Sequence, residues 1–461
     1  MPSGKGCQGI HAEHKEKQEM IEVDILIEGG RVVLMDDADT VIPEGVVAVD
    51  GDSIVAAGPL AEIRERYLGR NRIVAPASLI MPGLVNGHTH AAMTCFRGIA
   101  DDMELMEWLN GYIFPAEARN VNPELVYWGS LLACAEMIRS GTTTFCDMYL
   151  FEEEAAQAAK AAGMRCLLGE GLFDFPSPNA RTPAEGLACA RGLLEKWAGD
   201  PLVRFLVAPH ALYTCSPPVL REAKALADEF RVPYSVHLLE NRAEKDQLRE
   251  RFGKPALRFL EEIGWLTERL IAFHCVCMEE EDIRLFAKHG CRVVHNPESN
   301  MKLASGVAPV AAMIAAGIAV GLGTDGCASN NNLDMFQEMD TAAKLGKVAL
   351  LDPTAMSART VLRMATCEGA RVLGMGGEVG ALLPGKKADI AIIGLDKPHL
   401  TPIYNEYSHL VYAVNAADVD TVLINGRVVM RDRKLLTIDE GEAMRRVAEI
   451  AGRVKKSLAA T

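Results

Sequence analysis

The stretch PGLVNGHTHAAMT at 82–94 places His88 and His90 one residue apart at the end of an apolar run. Side chains two apart on a strand point the same way, with Cα atoms about 6.6 Å apart. Both rings can therefore face one ion. Five further apolar runs end in a polar side chain: FLVAPHALYT in His210, YSVHLLE in His237 and Glu240, LIAFHCV in His274, RVVHNPESN in His295 and AVGLGTDG in Asp325. Three neutral imidazoles (His88, His90 and His237) with the Asp325 carboxylate suit one divalent cation, zinc first and iron second, with a position open for water. Such an ion lowers the pKa of a water from about 15.7 towards about 7, so hydrolytic chemistry is expected. A lone His at a strand end is ordinarily a hydrogen-bonded core residue. The H-x-H pair, joined by polar groups at separate strand ends, makes the cation site the better reading. Cys275 and Cys277 flank His274 in alternate register and read as apolar packing.

These residues need a frame that brings strand ends together. Helical stretches end in Gly and pass at once into β-rich runs: Gly141 precedes TTTFCDMY, Gly163 precedes MRCLLGEGLFD, Gly290 precedes CRVVHN and Gly317 precedes IAVGLGTD. Glycine after a helix supplies the left-handed cap. PPVLREAKALADEF and EEEDIRLFAKHG carry apolar residues at helical spacing. Eight strands, near Leu84, Thr143, Cys166, Leu206, Tyr234, Ile271, Val293 and Val320, alternate with helices. This α/β pattern predicts a (β/α)8 barrel over 81–375, with catalytic groups where strands end. The flanking segments, 21–80 and 376–461, are β-rich. Val23-Asp24 leads to Gly30-Arg31-Val32-Val33, and Val419-Asp420 leads to Gly426-Arg427-Val428-Val429 at the same offset. This shared strand–turn–strand pattern predicts one small β-sandwich built from both chain ends. Residues 1–20 are polar and read as a flexible tail.

Composition narrows the function. A formal net charge of −14 over 461 residues speaks against nucleic-acid partners. No run of about 18 apolar residues marks a transmembrane helix, and the N-terminus lacks the apolar core of a secretory signal. The 12 cysteines are scattered through apolar runs, which reads as reduced, buried thiols in a cytoplasmic protein. LPGKKADI lacks the full phosphate-loop pattern and reads as a turn entering a strand. The H-x-E with P-C-x-x-C signature of one class of zinc deaminases is absent.

PGLVNGHTH, VHLLE, AFHC, HNPESNMKL and GTDGCASNNNLDMF resemble the amidohydrolase superfamily. MPGLVNGHTHAAMTCFRG, EWL and FPAE are similar to its adenosine-type deaminases acting on S-adenosylhomocysteine and 5′-methylthioadenosine. The resemblance runs from about residue 22 to the end. It implies a barrel capped by a β-sandwich, one divalent metal per subunit on His88, His90, His237 and Asp325, a purine nucleoside substrate and a homo-oligomer. It also implies roles: Glu240 carries a proton to the purine ring, His274 orients the attacking hydroxide, and Asp325 moves the water's proton. His210 contacts substrate, Trp108 covers the pocket and Glu117 binds ribose hydroxyls. The expected reaction is hydrolytic deamination at C6 of 5′-methylthioadenosine, S-adenosylhomocysteine, adenosine or 5′-deoxyadenosine, giving the inosine analogue and ammonia.

Hydrolysis of a triazine, or deamination of guanine, would use the same metal set; Trp108 with Glu117 favours a ribose. Binuclear amide hydrolases of the superfamily usually place a Lys at the end of strand four, where His210 stands. A barrel retired to a binding role would have lost ligands, and this one keeps them. In some relatives an Arg at the end of strand three holds the homocysteine carboxylate. Glu170 stands in that place, with Arg181 in the following loop as the remaining cation. An acid there repels an anionic tail, so neutral 5′-substituents are expected to be preferred.

Overall fold

The computed structural model describes residues 20–104 and 107–459. The expected N-terminal tail, Met20 excepted, lies outside the described residues. Eight parallel strands form the barrel: Leu84–Thr89, Thr142–Tyr149, Arg165–Leu172, Val203–Phe205 continued by Ala208–Pro209, Tyr234–Leu238, Leu270–His274, Arg292–His295 and Ala319–Leu322. The first four pair in sequence, as do the last four. Bridges Val207↔Tyr234 and Ala211↔His237 join the two groups. The ring closes where Asp325 N–H donates to the His88 carbonyl over 2.9 Å. Every residue of Thr142–Tyr149 and Arg165–Leu172 is buried, as expected of strands covered on both faces. The expected helix ends hold: Gly163 at φ 73° and Gly290 at φ 67° cap their helices in the left-handed conformation.

Strands from both chain ends build one nine-stranded sheet. Ser78–Pro82 is its link: it runs parallel to Ile21–Val33 and antiparallel to Ile390–Gly394, from Gly394↔Ser78 to Ile390↔Pro82. Ile27, Val47, Ile54, Ile80, Ile390 and Leu423 share one core beneath it. A single residue, Gly83, separates Pro82 from the first barrel strand. Arg165, at the start of the third barrel strand, ties the two parts together. Its guanidinium donates to both Asp389 oxygens at 2.8 and 3.0 Å and to Asn425 Oδ1 at 3.0 Å.

Two details differ from expectation. The segment at Val23 is one long strand, Ile21–Val33, bulged around Gly30, and not a hairpin. The matching segment at Val419 does turn back, through Asn425 at φ 51° and Gly426 at φ 77°. Asn-Gly supports the paired positive φ of a tight hairpin, whereas Gly29-Gly30 in the same register only kinks the strand. The C-terminal helix, Glu440–Ala459, packs on the barrel helices Pro123–Arg139 and Phe114–Asn120, not on the sheet.

Candidate active site

The barrel register brings the predicted residues to one rim. Ring centroids of His88 lie 4.8 Å from His90, 4.9 Å from His237 and 5.7 Å from His274. Asp325 Oδ1 lies 3.4 Å from His88 Nε2 and 3.2 Å from His90 Nε2. Donor atoms of His88, His90 and Asp325 fall within 4.8 Å of one another, as do those of His88, His237 and His274. His274 at φ 68° and Asp325 at φ 62° take a backbone conformation rare for residues with a side chain. Such strain concentrates where geometry serves function.

Three of the four rings are aimed by a bond on the far side. His90 Nδ1 meets the Met148 carbonyl at 2.5 Å, and His237 Nδ1 meets that of His210 at 2.8 Å. With Nδ1 donating, Nε2 keeps its lone pair for the centre. His274 Nδ1 pairs with Asn300 Oδ1 at 2.9 Å. Asp325 Oδ2 accepts the hydroxyls of Ser299 and Ser329 at 2.6 and 2.8 Å, which leaves Oδ1 facing the histidines.

His88 supplies the test of fit for a cation. Its ring is fully buried and stacked on Phe273, and neither nitrogen makes a hydrogen bond. A buried polar atom in that state calls for a partner, and a cation answers it. Burial drives His88 and His210 down to about 3 and holds His237 well below its ordinary value. Burial lowers His90 too, but the Asp325 bond outweighs it and raises the ring to about 9. Burial also opposes the Asp325 charge, yet the His88 and His90 rings beside it keep that carboxyl well below its usual range. A divalent cation competes for the place of the shared proton. The donor set fits one.

The same rim opens into a cavity lined by Trp108, Glu117, His210, Glu240, His274 and Asp325, among others. Glu240 is 5% exposed. Its loop is pinned by Glu244, whose carboxylate accepts Leu239 N–H at 3.0 Å and Glu240 N–H at 2.6 Å. Burial raises the Glu240 carboxyl, against the pull of His274. Glu117 accepts the Tyr149 hydroxyl at 2.6 Å, and burial pushes it up to about 7. Trp108 opens a π-helical turn, Trp108–Ile113, and donates its indole N–H to the Ala100 carbonyl at 3.1 Å. Its ring face therefore serves the cavity while its polar atom is spent. His210 Nδ1 pairs with Thr214 Oγ1 at 3.0 Å, and its ring stacks on Phe173 at 4.9 Å.

An amidohydrolase family model matches residues 79–429. The chain belongs to the amidohydrolase family. A curated relative, 5-methylthioadenosine/S-adenosylhomocysteine deaminase 1 of Syntrophus aciditrophicus (strain SB), is 66% identical over 439 residues, 95% of this amidohydrolase and 99% of that protein. A 5′-deoxyadenosine deaminase of Methanosarcina barkeri is 45% identical, covering 91% and 96%. Among solved structures, an adenosine deaminase from Xanthomonas campestris with bound zinc superposes with a TM-score of 0.93 at 39% identity, covering 95% and 100%.

Two residues expected at the substrate end are elsewhere in this amidohydrolase. Glu170 is buried but turned away from the cavity. Its carboxylate takes the N–H groups of Phe151 and Glu152 at 2.8 and 2.9 Å and the amide of Asn179. Alternation along the strand sends its neighbour Gly171 to the cavity instead. The repulsion argument for neutral 5′-substituents therefore loses its basis. Arg181 is exposed, lies before the helix Pro183–Lys196 and lines no part of the cavity. His295 faces a separate groove beside Val307 and Gly346. No thiol joins the candidate cation sets among the described residues. Sequence reasoning missed Tyr149, Ser299, Asn300 and Ser329. Ser299 and Asn300 follow His295 within the quoted HNPESN, so a polar cluster was visible there, but nothing told which way it pointed.

Proposed function

We propose that this amidohydrolase hydrolytically deaminates adenine nucleosides at C6, releasing ammonia and the inosine analogue, with one zinc ion held by His88, His90, His237 and Asp325. One observation carries the reading: a cation-ready donor set and two buried carboxyls, Glu240 and Glu117, line one cavity. The deaminase names of the relatives support it.

The bound ion supplies Lewis acidity and brings the pKa of a water near 7. The protein's own groups do the rest. Glu240, whose hold on its proton burial strengthens, donates to the purine ring nitrogen and draws electrons from C6. Asn300 accepts from His274 Nδ1, so Nε2 is left to orient the water that adds to C6. Asp325 Oδ1, its sister oxygen tied to two serines, takes the water's proton and returns it to the departing amine, and the proton left on the C6 oxygen passes back to Glu240. Glu117 accepts ribose hydroxyls, and Trp108 covers the bound nucleoside.

The cavity wall beyond His210 favours a neutral 5′-substituent for a new reason. Among its lining residues, His210 stacks on Phe173 at 4.9 Å and lies 6.2 Å from Phe114. No Lys or Arg among the described residues lines the cavity. An aromatic wall without a cation suits a methylthio or methyl group better than a charged amino-acid tail. The same proposal includes a homo-oligomer in the cytoplasm; no helix among the described residues is long and apolar enough to cross a membrane.

The test is ammonia release by the zinc-loaded protein over adenine nucleosides, guanine and triazines. 5′-Methylthioadenosine and 5′-deoxyadenosine are expected to give higher kcat/KM than S-adenosylhomocysteine. Turnover of a triazine or guanine without any adenine nucleoside would overturn the proposal.

A further inference from the structure

We infer that Asp147 is a positioning residue for the H-x-H pair, holding the Thr89 side chain and the Ala91 main chain on either side of His90, with Glu152 as its supporting carboxyl. The inference rests on the cation reading above. Asp147 lies on the second barrel strand and is fully buried. Its Oδ1 accepts the Thr89 hydroxyl at 2.8 Å and the Ala91 N–H at 2.8 Å. The next residue, Met148, offers its carbonyl to His90 Nδ1. Two consecutive residues thus grip three consecutive ones.

The grip sits where the sheet lets go. The pairing of the first two barrel strands is regular at Val85↔Thr144 and Asn86↔Phe145, then breaks before Thr89↔Asp147. A carboxylate there replaces lost ladder bonds with charge-assisted ones, which are shorter and stronger. Asp147 touches the residues flanking His90 and leaves the imidazole itself free to ligate.

Behind it stands Glu152, fully buried at the start of the helix Glu152–Ala162. Its N–H and that of Phe151 are fixed by Glu170. Asp147 Oδ2 and both Glu152 oxygens find no donor in the protein. One proton shared between Asp147 Oδ2 and one Glu152 oxygen satisfies those two atoms and leaves Asp147 Oδ1 free to accept.

The experiment uses the full-length protein loaded with zinc, and with cobalt(II) as a spectroscopic probe. Asp147→Leu removes the acceptor while keeping the branching of the side chain. It is expected to release zinc to a chromogenic chelator 10–100-fold faster and to alter the cobalt absorption bands. Asp147→Asn, which keeps Oδ1, and Glu152→Gln, which keeps a donor, are expected to stay within about threefold of wild type. A merely structural role would lower the melting temperature with and without metal alike and leave the release rate and cobalt bands unchanged; that result overturns the inference. Should Asp147→Leu fail to fold, Thr89→Val removes one of the two donors and is expected to speed release about 10-fold; wild-type release there overturns the inference equally. Wild-type protein that binds no stoichiometric zinc overturns the proposed function, and this inference with it.

Discussion

Tyr149 donates its hydroxyl to Glu117 across 2.6 Å at the cavity wall, yet burial still pushes that acid up to about 7. The shift has a sign that stability can read. The unfolded carboxyl ionises near 4.5, so between the two values the folded protein holds more protons. Wild-type stability therefore falls as pH rises through that window. Glu117→Gln, which keeps an acceptor for Tyr149, escapes the loss. By urea unfolding it is expected to be about 3 kcal/mol more stable than wild type at pH 8 and equal to it below about pH 4. KM for nucleosides should rise about 10–100-fold as the ribose loses a charged acceptor. A variant with unchanged KM removes Glu117 from ribose binding.

Glu240→Gln keeps the shape of the loop but has no proton to give the ring. Metal content by emission spectroscopy should stay stoichiometric while kcat falls about 10²–10⁴-fold. Wild-type turnover would take Glu240 out of the mechanism.

Asp325 is aimed by two hydroxyls. Ser299→Ala or Ser329→Ala alone should weaken zinc affinity about 10-fold, and the double variant about 100-fold. Competition with a calibrated chelator measures this. Equal affinities would mean that backbone strain at Asp325 sets its direction unaided.

Asp389→Ala leaves Arg165 buried without its partner. Loss of one member of a buried pair costs about 3–5 kcal/mol, readable in the urea midpoint. Arg165 begins its strand, at the end of the barrel opposite the histidines. Zinc content of the folded variant should be unchanged.

The histidines and Asp325 were legible because their chemistry and their position coincide. Each closes an apolar run, and a barrel gathers such ends at one rim. Glu117 and Trp108 became visible through resemblance, since a helix acid and an indole have no spacing of their own. Glu170 misled because LLGEGLFD is apolar or small on both sides, so the sequence carries no sign of which alternate residue faces inward. The Met148 carbonyl that aims His90 is backbone, and no residue type advertises it. Ser329 reaches Asp325 within the same loop, but Ser299 reaches it from the helix Pro297–Lys302, a relation that exists only once the neighbouring strands have paired. The two G-R-V-V segments parted for a local reason: Asn425 accepts positive φ before Gly426, while Gly29-Gly30 lets the strand run on.

The place of Ser78–Pro82 between strands from both termini has a consequence for synthesis on the ribosome. That strand leaves the exit tunnel long before Ile390–Gly394, the partner that covers its far edge. At about 5–20 residues per second the interval lasts roughly 15–60 s. Throughout it the nascent chain carries an open, apolar ladder that can recruit a neighbouring polypeptide. Premature termination before Ile390 leaves the ladder open for good, so such fragments should accumulate as aggregates even when their barrel strands are complete.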